Sequence, residues 1–265
     1  MRLRAKLAAA TVFVAVVAAP ASAITYGVPD GTGHPNVGAL IGDFGGDLFQ
    51  VCSGTLVSPT VFVTASHCTS YLEEQGASAL VTFDPASALD GGSTLIPGVM
   101  HTNPAWKNLA GLANSPDVVV ITFSSSVLGA CQCTPARLPT AGLLDELAAK
   151  NGLKGQRFTA VGYGLTQRVK NGPGTPQLGD TNLRMVATED FNALGPTWLH
   201  LSQNPSLGNG GTCYGDSGGP NFLGTSDVIA GLTVTGDRWC RSTNVTFRLD
   251  TPAAREFLEN WVALP

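Results

Sequence analysis

Gly215-Asp216-Ser217-Gly218-Gly219-Pro220 is the most informative stretch of this sequence. Glycines beside a serine allow a tight turn that exposes the hydroxyl, and they let backbone N–H groups converge where an oxyanion would form. A serine hydroxyl is a weak nucleophile and needs a general base. The stretch also satisfies Gly-x-Ser-x-Gly, the nucleophile elbow of α/β-hydrolases. That fold places its histidine after the serine, whereas all four histidines here precede Ser217, so the elbow is rejected.

A second string carries a candidate base. Residues 61–68 (VFVTASHC) run from an apolar, strand-like segment into His67, beside Cys68. A lone histidine is more often structural, but an imidazole base is what the serine string requires. The two strings together therefore indicate nucleophilic catalysis.

The composition excludes other classes of protein. The 265 residues include 15 Lys+Arg and 19 Asp+Glu, with a formal charge of −4, so the chain lacks the basic surplus of a nucleic-acid binder. Hydrophobic residues make up 43%, which argues against disorder. The 32 Gly and 17 Pro separate short Val-, Thr- and Phe-rich runs. This pattern favours many short strands over a parallel βαβ sheet, and we predict an all-β fold.

The first 23 residues predict a secretory signal peptide. Three basic residues precede the apolar run at residues 7–19, and Ala21-Ser22-Ala23 follows as an A-x-A cleavage site. The run is shorter than the about 20 residues that span a bilayer. We expect a secreted, extracellular protein that begins at Ile24, without a stable membrane anchor.

Secretion makes the cysteines candidates for disulfide bonds. Six cysteines allow fifteen connectivities, so spacing alone does not pair them. No Cys-x-x-Cys pair occurs, and Cys131-Gln132-Cys133 is too tight for a zinc ribbon. We predict no metal and no cofactor.

The strings together resemble those of the chymotrypsin-like (trypsin-like, S1 family) serine endopeptidases. Residues 64–68 (TASHC) are similar to the family's TAAHC, and residues 215–220 match its GDSGGP without change. Residues 52–58, 117–120 and 161–164 resemble its CGGSLIS, DIAL and TGWG segments. The order His, Asp, Ser also fits this family.

The resemblance implies two six-stranded antiparallel Greek-key barrels and a C-terminal helix. We expect one peptidase domain over residues 24–265, with the first barrel at about 24–138 and the second at about 155–250. Residues 140–150 are the candidate linker. Thr251-Pro252 is a good helix start, and we expect the terminal helix at about 251–263.

The family's catalytic roles carry over by position. Ser217 matches the nucleophile, His67 the general base and later acid, and Asp117 the residue that orients the imidazole. Two other aspartates lie between His67 and Ser217, but the apolar run after Asp117 favours that residue. The N–H groups of Gly215 and Ser217 match the oxyanion hole.

The resemblance also pairs four cysteines. One bridge lies beside the histidine and one beside the substrate pocket. For the remaining two cysteines, a local bridge, free thiols and a link to another molecule stay open, with the local bridge favoured. The expected pairs are Cys52–Cys68, Cys213–Cys240 and Cys131–Cys133.

Four positions match the specificity pocket of the family: Gly211, Thr212, Gly236 and Asn244. Relatives that cut after Arg or Lys carry an acid at the position of Gly211. A buried cationic side chain would have no partner there, which is costly. We therefore predict cleavage after neutral, medium or large apolar residues.

The resemblance extends to activation. In the family a new N-terminus folds inward, and its ammonium pairs with the aspartate before the nucleophile. Ile24 and Asp216 match that pair. No basic residue lies between Lys6 and Ile24, so we predict that export itself produces the active terminus.

The function predicted from the sequence is peptide hydrolysis through an acyl-enzyme intermediate, with protein or peptide substrates, no nucleic acid, and a monomeric enzyme. One departure supports a rival function: Val234 stands where the family has a serine that supports the catalytic aspartate. The rival is a catalytically weak or inactive homologue that acts as a secreted binding protein. A secreted esterase with the same triad is a third possibility.

Overall fold

A computed structural model describes residues 24–87, 89, 92–108, 115–168, 177–179 and 182–265. The predicted signal peptide, residues 1–23, lies outside the described residues. Among the helices that are described, none has the length and apolar character needed to cross a membrane.

Short strands dominate the described chain. In chain order they are β1 (Val28–Pro29), β2 (Val37–Asp43), β3 (Leu48–Ser58), β4 (Val61–Thr64), β5 (Ser78–Thr82), β6 (Ile96–His101), β7 (Val119–Thr122), β8 (Arg157–Gly162), β9 (Thr166–Arg168), β10 (Gln177–Gly179), β11 (Met185–Leu194), β12 (Trp198–Ser202), β13 (Pro220–Leu223), β14 (Ile229–Gly236) and β15 (Thr243–Arg248). The helices are α1 (Ser66–Glu74), α2 (Leu128–Cys131), α3 (Leu143–Ala149) and α4 (Pro252–Leu258). A 3-10 turn spans Pro205–Leu207.

The first barrel closes in the order β2-β3-β4-β7-β6-β5, with every pair antiparallel. Its strands carry the β-branched and aromatic residues that suit a pleated, buried surface. Inside it, Phe62 meets Phe83 and Phe123 edge-on, at ring-centroid distances of 5.9 and 6.4 Å. Such aromatic pairs contribute beyond their buried area, so they help to fix the barrel interior.

The second barrel runs β11-β12-β15-β14-β13-β8 and closes through pairing of β8 with β11. The predicted all-β fold of two six-stranded antiparallel barrels with a C-terminal helix is confirmed. One buried apolar cluster joins both barrels, with Val63 and Val120 from the first and Val161 and Leu232 from the second. The cleft between the barrels therefore rests on a shared core.

The N-terminal segment lies on the second barrel and not on the first, where we expected residues from about 24 onward. Val28 in β1 pairs with Val186 in β11, and Thr25 forms an isolated bridge with Gly211. The side chain of Ile24 is fully buried and packs with Met185. Burial of this isoleucine accounts for the placement.

The helices occupy the connections. The expected linker contains α3, between β7 and β8. The hydroxyl of Thr251 accepts a hydrogen bond from the Ala254 N–H at 3.4 Å and caps α4. The helix ends at Leu258, earlier than the expected residue 263, and buries Ala254 and Leu258.

Candidate active site

His67 and Asp117 meet because two neighbouring strands end side by side. In the β4–β7 pair, Thr64 lies opposite Val119. His67 follows β4 in the first turn of α1, and Asp117 lies two residues before the start of β7. The Asp117 carboxylate accepts two hydrogen bonds from the same residue, one from the backbone N–H of His67 at 3.0 Å and one from its ring Nδ1 at 2.7 Å. Asp117 is fully buried, so the ring is held with Nε2 free to face the cleft.

The serine string forms a tight turn against the end of β4. Gly215 and Gly218 have φ values of +94° and +77°, which glycine adopts without strain. A Cβ on Gly218 would lie 2.6 Å from the backbone nitrogen of Ala65. The backbone carbonyl of Ser217 accepts a hydrogen bond from the Ser53 N–H at 2.9 Å. Only a glycine at position 218 permits this close contact between the turn and the backbone after β4. The contact places Ser217 beside the segment that carries His67.

Two backbone amides of the turn are available to a ligand. Within the described part of the chain, neither the Gly215 N–H nor the Ser217 N–H donates a hydrogen bond. Unused N–H groups next to a candidate nucleophile form the arrangement that stabilises a developing oxyanion. They are the two donors that the sequence predicts for the oxyanion hole.

His67 and Ser217 line one cavity of about 270 Å³. No hydrogen bond joins the two side chains among the described residues, as is common for catalytic hydrogen bonds in substrate-free sites. One wall consists of Thr212, Cys213 and Tyr214, and the other runs along β14. The Cys213–Cys240 disulfide links the first wall to the loop after the second.

Of the four residues predicted to form the specificity pocket, two line the cavity and two do not. Thr212 and Gly236 line the cavity. Gly211 and Asn244 do not line it, and both are buried. The side chain of Asn244 is fully buried, and its amide donates hydrogen bonds to Glu189 and Asn221. The Asn244-Val245-Thr246 sequon is therefore closed to glycosylation in the folded protein.

A buried acid that the sequence analysis missed lies behind the cavity. The carboxyl of Glu189 in β11 is fully buried and accepts hydrogen bonds from the Asn244 amide at 2.9 and 3.2 Å. Burial raises the pKa of Glu189 to about 8, hydrogen bonds from Asn244 and the Thr212 N–H oppose the rise, and the charge of Asp216 adds to it. Trp106 was also missed, and its ring centroid lies 6.3 Å from that of His67.

Asp216 and Ile24 are both fully buried. The Asp216 carboxylate accepts hydrogen bonds from the backbone N–H groups of Gly164 and Cys213, each at 2.8 Å. Burial raises the pKa of Asp216 to about 7, although these two hydrogen bonds act in the opposite direction. The carboxylate has no ion-pair partner within the described ranges. In the uncut chain Ile24 offers a neutral peptide nitrogen and no ammonium.

All six cysteines form disulfides. The bridges are Cys52–Cys68, Cys131–Cys133 and Cys213–Cys240. In the described chain, one group of ligating side chains is close enough to share a metal ion: Cys52, His67 and Cys68. Both cysteines of that group are already bonded to each other.

Comparisons with known proteins agree with this geometry. The family model described as Trypsin matches residues 34–256, and the chain belongs to that family. It is 25% identical to glucanase inhibitor protein 4 of Phytophthora infestans, over 80% of this chain and 79% of that protein. It is also 25% identical to granzyme M of Homo sapiens, over 72% of this chain and 71% of that protein.

The fold is similar to that of HL collagenase. The TM-score is 0.63 at 19% identity, over 89% of this chain and 98% of that one. The chain is thus a trypsin-family protein with the chymotrypsin-like double-barrel fold.

Proposed function

We propose that this protein is a secreted serine endopeptidase that acts through Ser217, His67 and Asp117. The observation that carries the proposal is the double hydrogen bond from His67 to the buried Asp117, with Ser217 on the same cavity. A buried carboxylate that orients the imidazole and stabilises its charged form is what serine activation requires. Family membership and the relative named granzyme M support the same function.

In the proposed mechanism, the Ser217 Oγ attacks the carbonyl carbon of the scissile peptide while His67 Nε2 accepts its proton. The carbonyl oxygen becomes an oxyanion that accepts from the Gly215 and Ser217 N–H groups, each donor contributing about 3–4 kcal/mol. His67 then gives its proton to the leaving amine, and the C–N bond breaks to leave an acyl ester on Ser217. Water, deprotonated by His67, attacks that ester and restores the serine.

We further propose substrates with a neutral apolar side chain before the scissile bond. The support is the absence of a side chain at Gly211, where relatives that cut after Arg or Lys carry an acid. The proposed signal peptide, residues 1–23, would release Ile24 as a new terminus during export. Its ammonium would pair with Asp216, which is buried and has no ion-pair partner among the residues that the structure describes.

A weak or inactive homologue with a binding role is the second candidate. The relative named glucanase inhibitor protein 4 favours it, because that name describes an inhibitor and not a hydrolase. Val234 also favours this candidate, because it stands where the family has a serine whose hydroxyl supports the catalytic aspartate.

The deciding experiment treats mature protein with an active-site-directed fluorophosphonate and locates the label by mass spectrometry. We expect labelling of Ser217, none in Ser217→Ala, and hydrolysis of peptides faster than hydrolysis by the same alanine variant. Folded protein that takes up no label and cleaves no peptide would contradict the catalytic proposal and favour the binding role. Turnover of simple esters without any peptide cleavage would establish an esterase.

A further inference from the structure

The base of the pocket is filled from behind by two side chains. A Cβ on Gly211 would collide with the Gln203 Oε1 atom and would lie 2.5 Å from the Glu189 Oε1 atom. Glu189 comes from β11, and Gln203 follows the end of β12. Both are fully buried. The space into which a residue-211 side chain would project is thus already occupied.

Glu189 also organises the cavity wall. It accepts the N–H of Thr212 and the amide of Asn244. The same Asn244 amide donates to Asn221 Oδ1 at 2.9 Å, and the Asn221 amide donates to the Thr233 hydroxyl at 3.0 Å. Thr212 and Thr233 both line the cavity. A continuous buried network therefore joins the two walls through Glu189.

Two acceptors in or beside the network are unsatisfied. Within the described residues, Gln203 Oε1 and Asn244 Oδ1 are buried and accept no hydrogen bond. Burial raises the pKa of Glu189 to about 8, which favours the neutral acid at neutral pH, and a protonated Glu189 adds an O–H donor to the network. An unpaired buried acceptor is costly, so the neutral acid completes the network better than a carboxylate does. Glu189 then adds no charge behind the pocket.

From this geometry we infer that Glu189 sets substrate selectivity: by holding Asn244 and Thr212 it closes the base of the pocket, so that only a small or medium, uncharged side chain fits before the scissile bond. The inference rests on the proposed function, and it narrows the proposed apolar preference to short side chains. Glu189 acts here as a positioning residue, because it touches the pocket wall and not the substrate.

The test compares ratios of kcat/KM for peptides that differ only in the residue before the cut: Ala, Val, Phe and Lys. We expect wild type to favour Ala and Val over Phe and Lys by at least about tenfold. Glu189→Ala should raise the Phe-to-Ala ratio about tenfold or more. Glu189→Gln should retain the wild-type ratio, because its amide still donates one hydrogen bond and accepts others. A ratio within one variant does not depend on how much of the protein is folded.

Two further variants sharpen the result. Asn244→Gly removes the side chain that Glu189 holds and should raise the same Phe-to-Ala ratio. Glu146→Gln, at an exposed site paired with Lys150, is the matched control and should change nothing. A wild-type profile led by Lys, Arg or Phe overturns the inference, as does an unchanged ratio in both Glu189→Ala and Asn244→Gly.

A binding measurement separates this inference from the proposed function. Product peptides ending in Ala, Val, Phe or Lys are titrated into Ser217→Ala by calorimetry, which needs no turnover. Selective binding of the Ala and Val peptides supports a closed pocket even in a protein that cleaves nothing. Equal binding of all four contradicts it, whatever the enzyme hydrolyses.

Discussion

Arg184 and Asp30 form a buried ion pair with an Nε–Oδ2 distance of 2.8 Å, although 154 residues separate them in the chain. Each side chain is only 1% exposed. The same guanidinium donates to the backbone carbonyls of Gly31, Val37 and Phe83 at 2.7, 3.2 and 2.9 Å. Arg184 precedes β11, whereas Val37 begins β2, so one side chain fastens the N-terminal segment and the first barrel to the second.

Loss of this guanidinium should be strongly destabilising. Arg184→Met removes the ion-pair partner of the buried Asp30 carboxylate, which keeps its hydrogen bonds from His34, and it removes a donor from three backbone carbonyls. We expect a loss of about 3–5 kcal/mol in the free energy of unfolding. Chemical denaturation measures it. The control is Arg137→Met, which removes an exposed pair with Asp227 and should have a much smaller effect, because solvent screens exposed ion pairs. Equal effects would show that Arg184 has no special role.

The proposed role of Asp117 predicts a large kinetic effect with little structural change. Asp117→Asn keeps the shape of the side chain but no longer fixes the tautomer of His67, and kcat should fall by about 10⁴. Peptide hydrolysis and near-UV circular dichroism on one preparation test this. Activity within tenfold of wild type, with an intact spectrum, would remove Asp117 from the mechanism.

The state of the N-terminus should control activity. Mature protein that begins at Ile24 should be at least about tenfold more active than the same protein with one extra residue, since about 1.4 kcal/mol of lost pairing with Asp216 already lowers an equilibrium tenfold. The reference pKa of an α-amino group is about 7.7–8.0, and an anionic partner raises it. Activity should therefore decline at alkaline pH as the ammonium loses its proton. Equal rates for both forms, verified by intact mass, would rule out an inserted terminus.

The form with one extra residue should also show a pH-dependent stability. The pKa of Asp216 is about 7 when folded, against an ordinary value of 3.8, so between these values the folded state binds more protons than the unfolded state. The Asp216 contribution to the free energy of unfolding should therefore fall as pH rises from about 4 to about 7 and stay level above. Glu189 adds a slope of the same sign. Comparison with Asp216→Asn isolates the Asp216 contribution, and parallel curves for the two proteins would contradict the prediction.

Most of the architecture was accessible from the sequence, because the serine and histidine strings impose local geometry that few other residues permit. The base of the pocket could not be predicted from the sequence. Gly211 and Asn244 occupy positions that line pockets in the family, but here side chains from β11 and from the end of β12 fill the space behind them. One signal was present: Met185, Ala187 and Glu189 alternate inward along β11. An acid at an inward position predicts a buried polar network.

The two barrels contribute unequally to the proposed triad, with His67 and Asp117 from the first and Ser217 from the second. A displacement of about 1 Å between reacting groups can lower a rate about 100-fold. The rate of hydrolysis should therefore be sensitive to any movement of one barrel relative to the other. In a denaturant series, hydrolysis should stop before far-UV circular dichroism changes. A covalent inhibitor attached to Ser217 and in contact with His67 would touch both barrels at once. It should therefore raise the unfolding temperature of both barrels together.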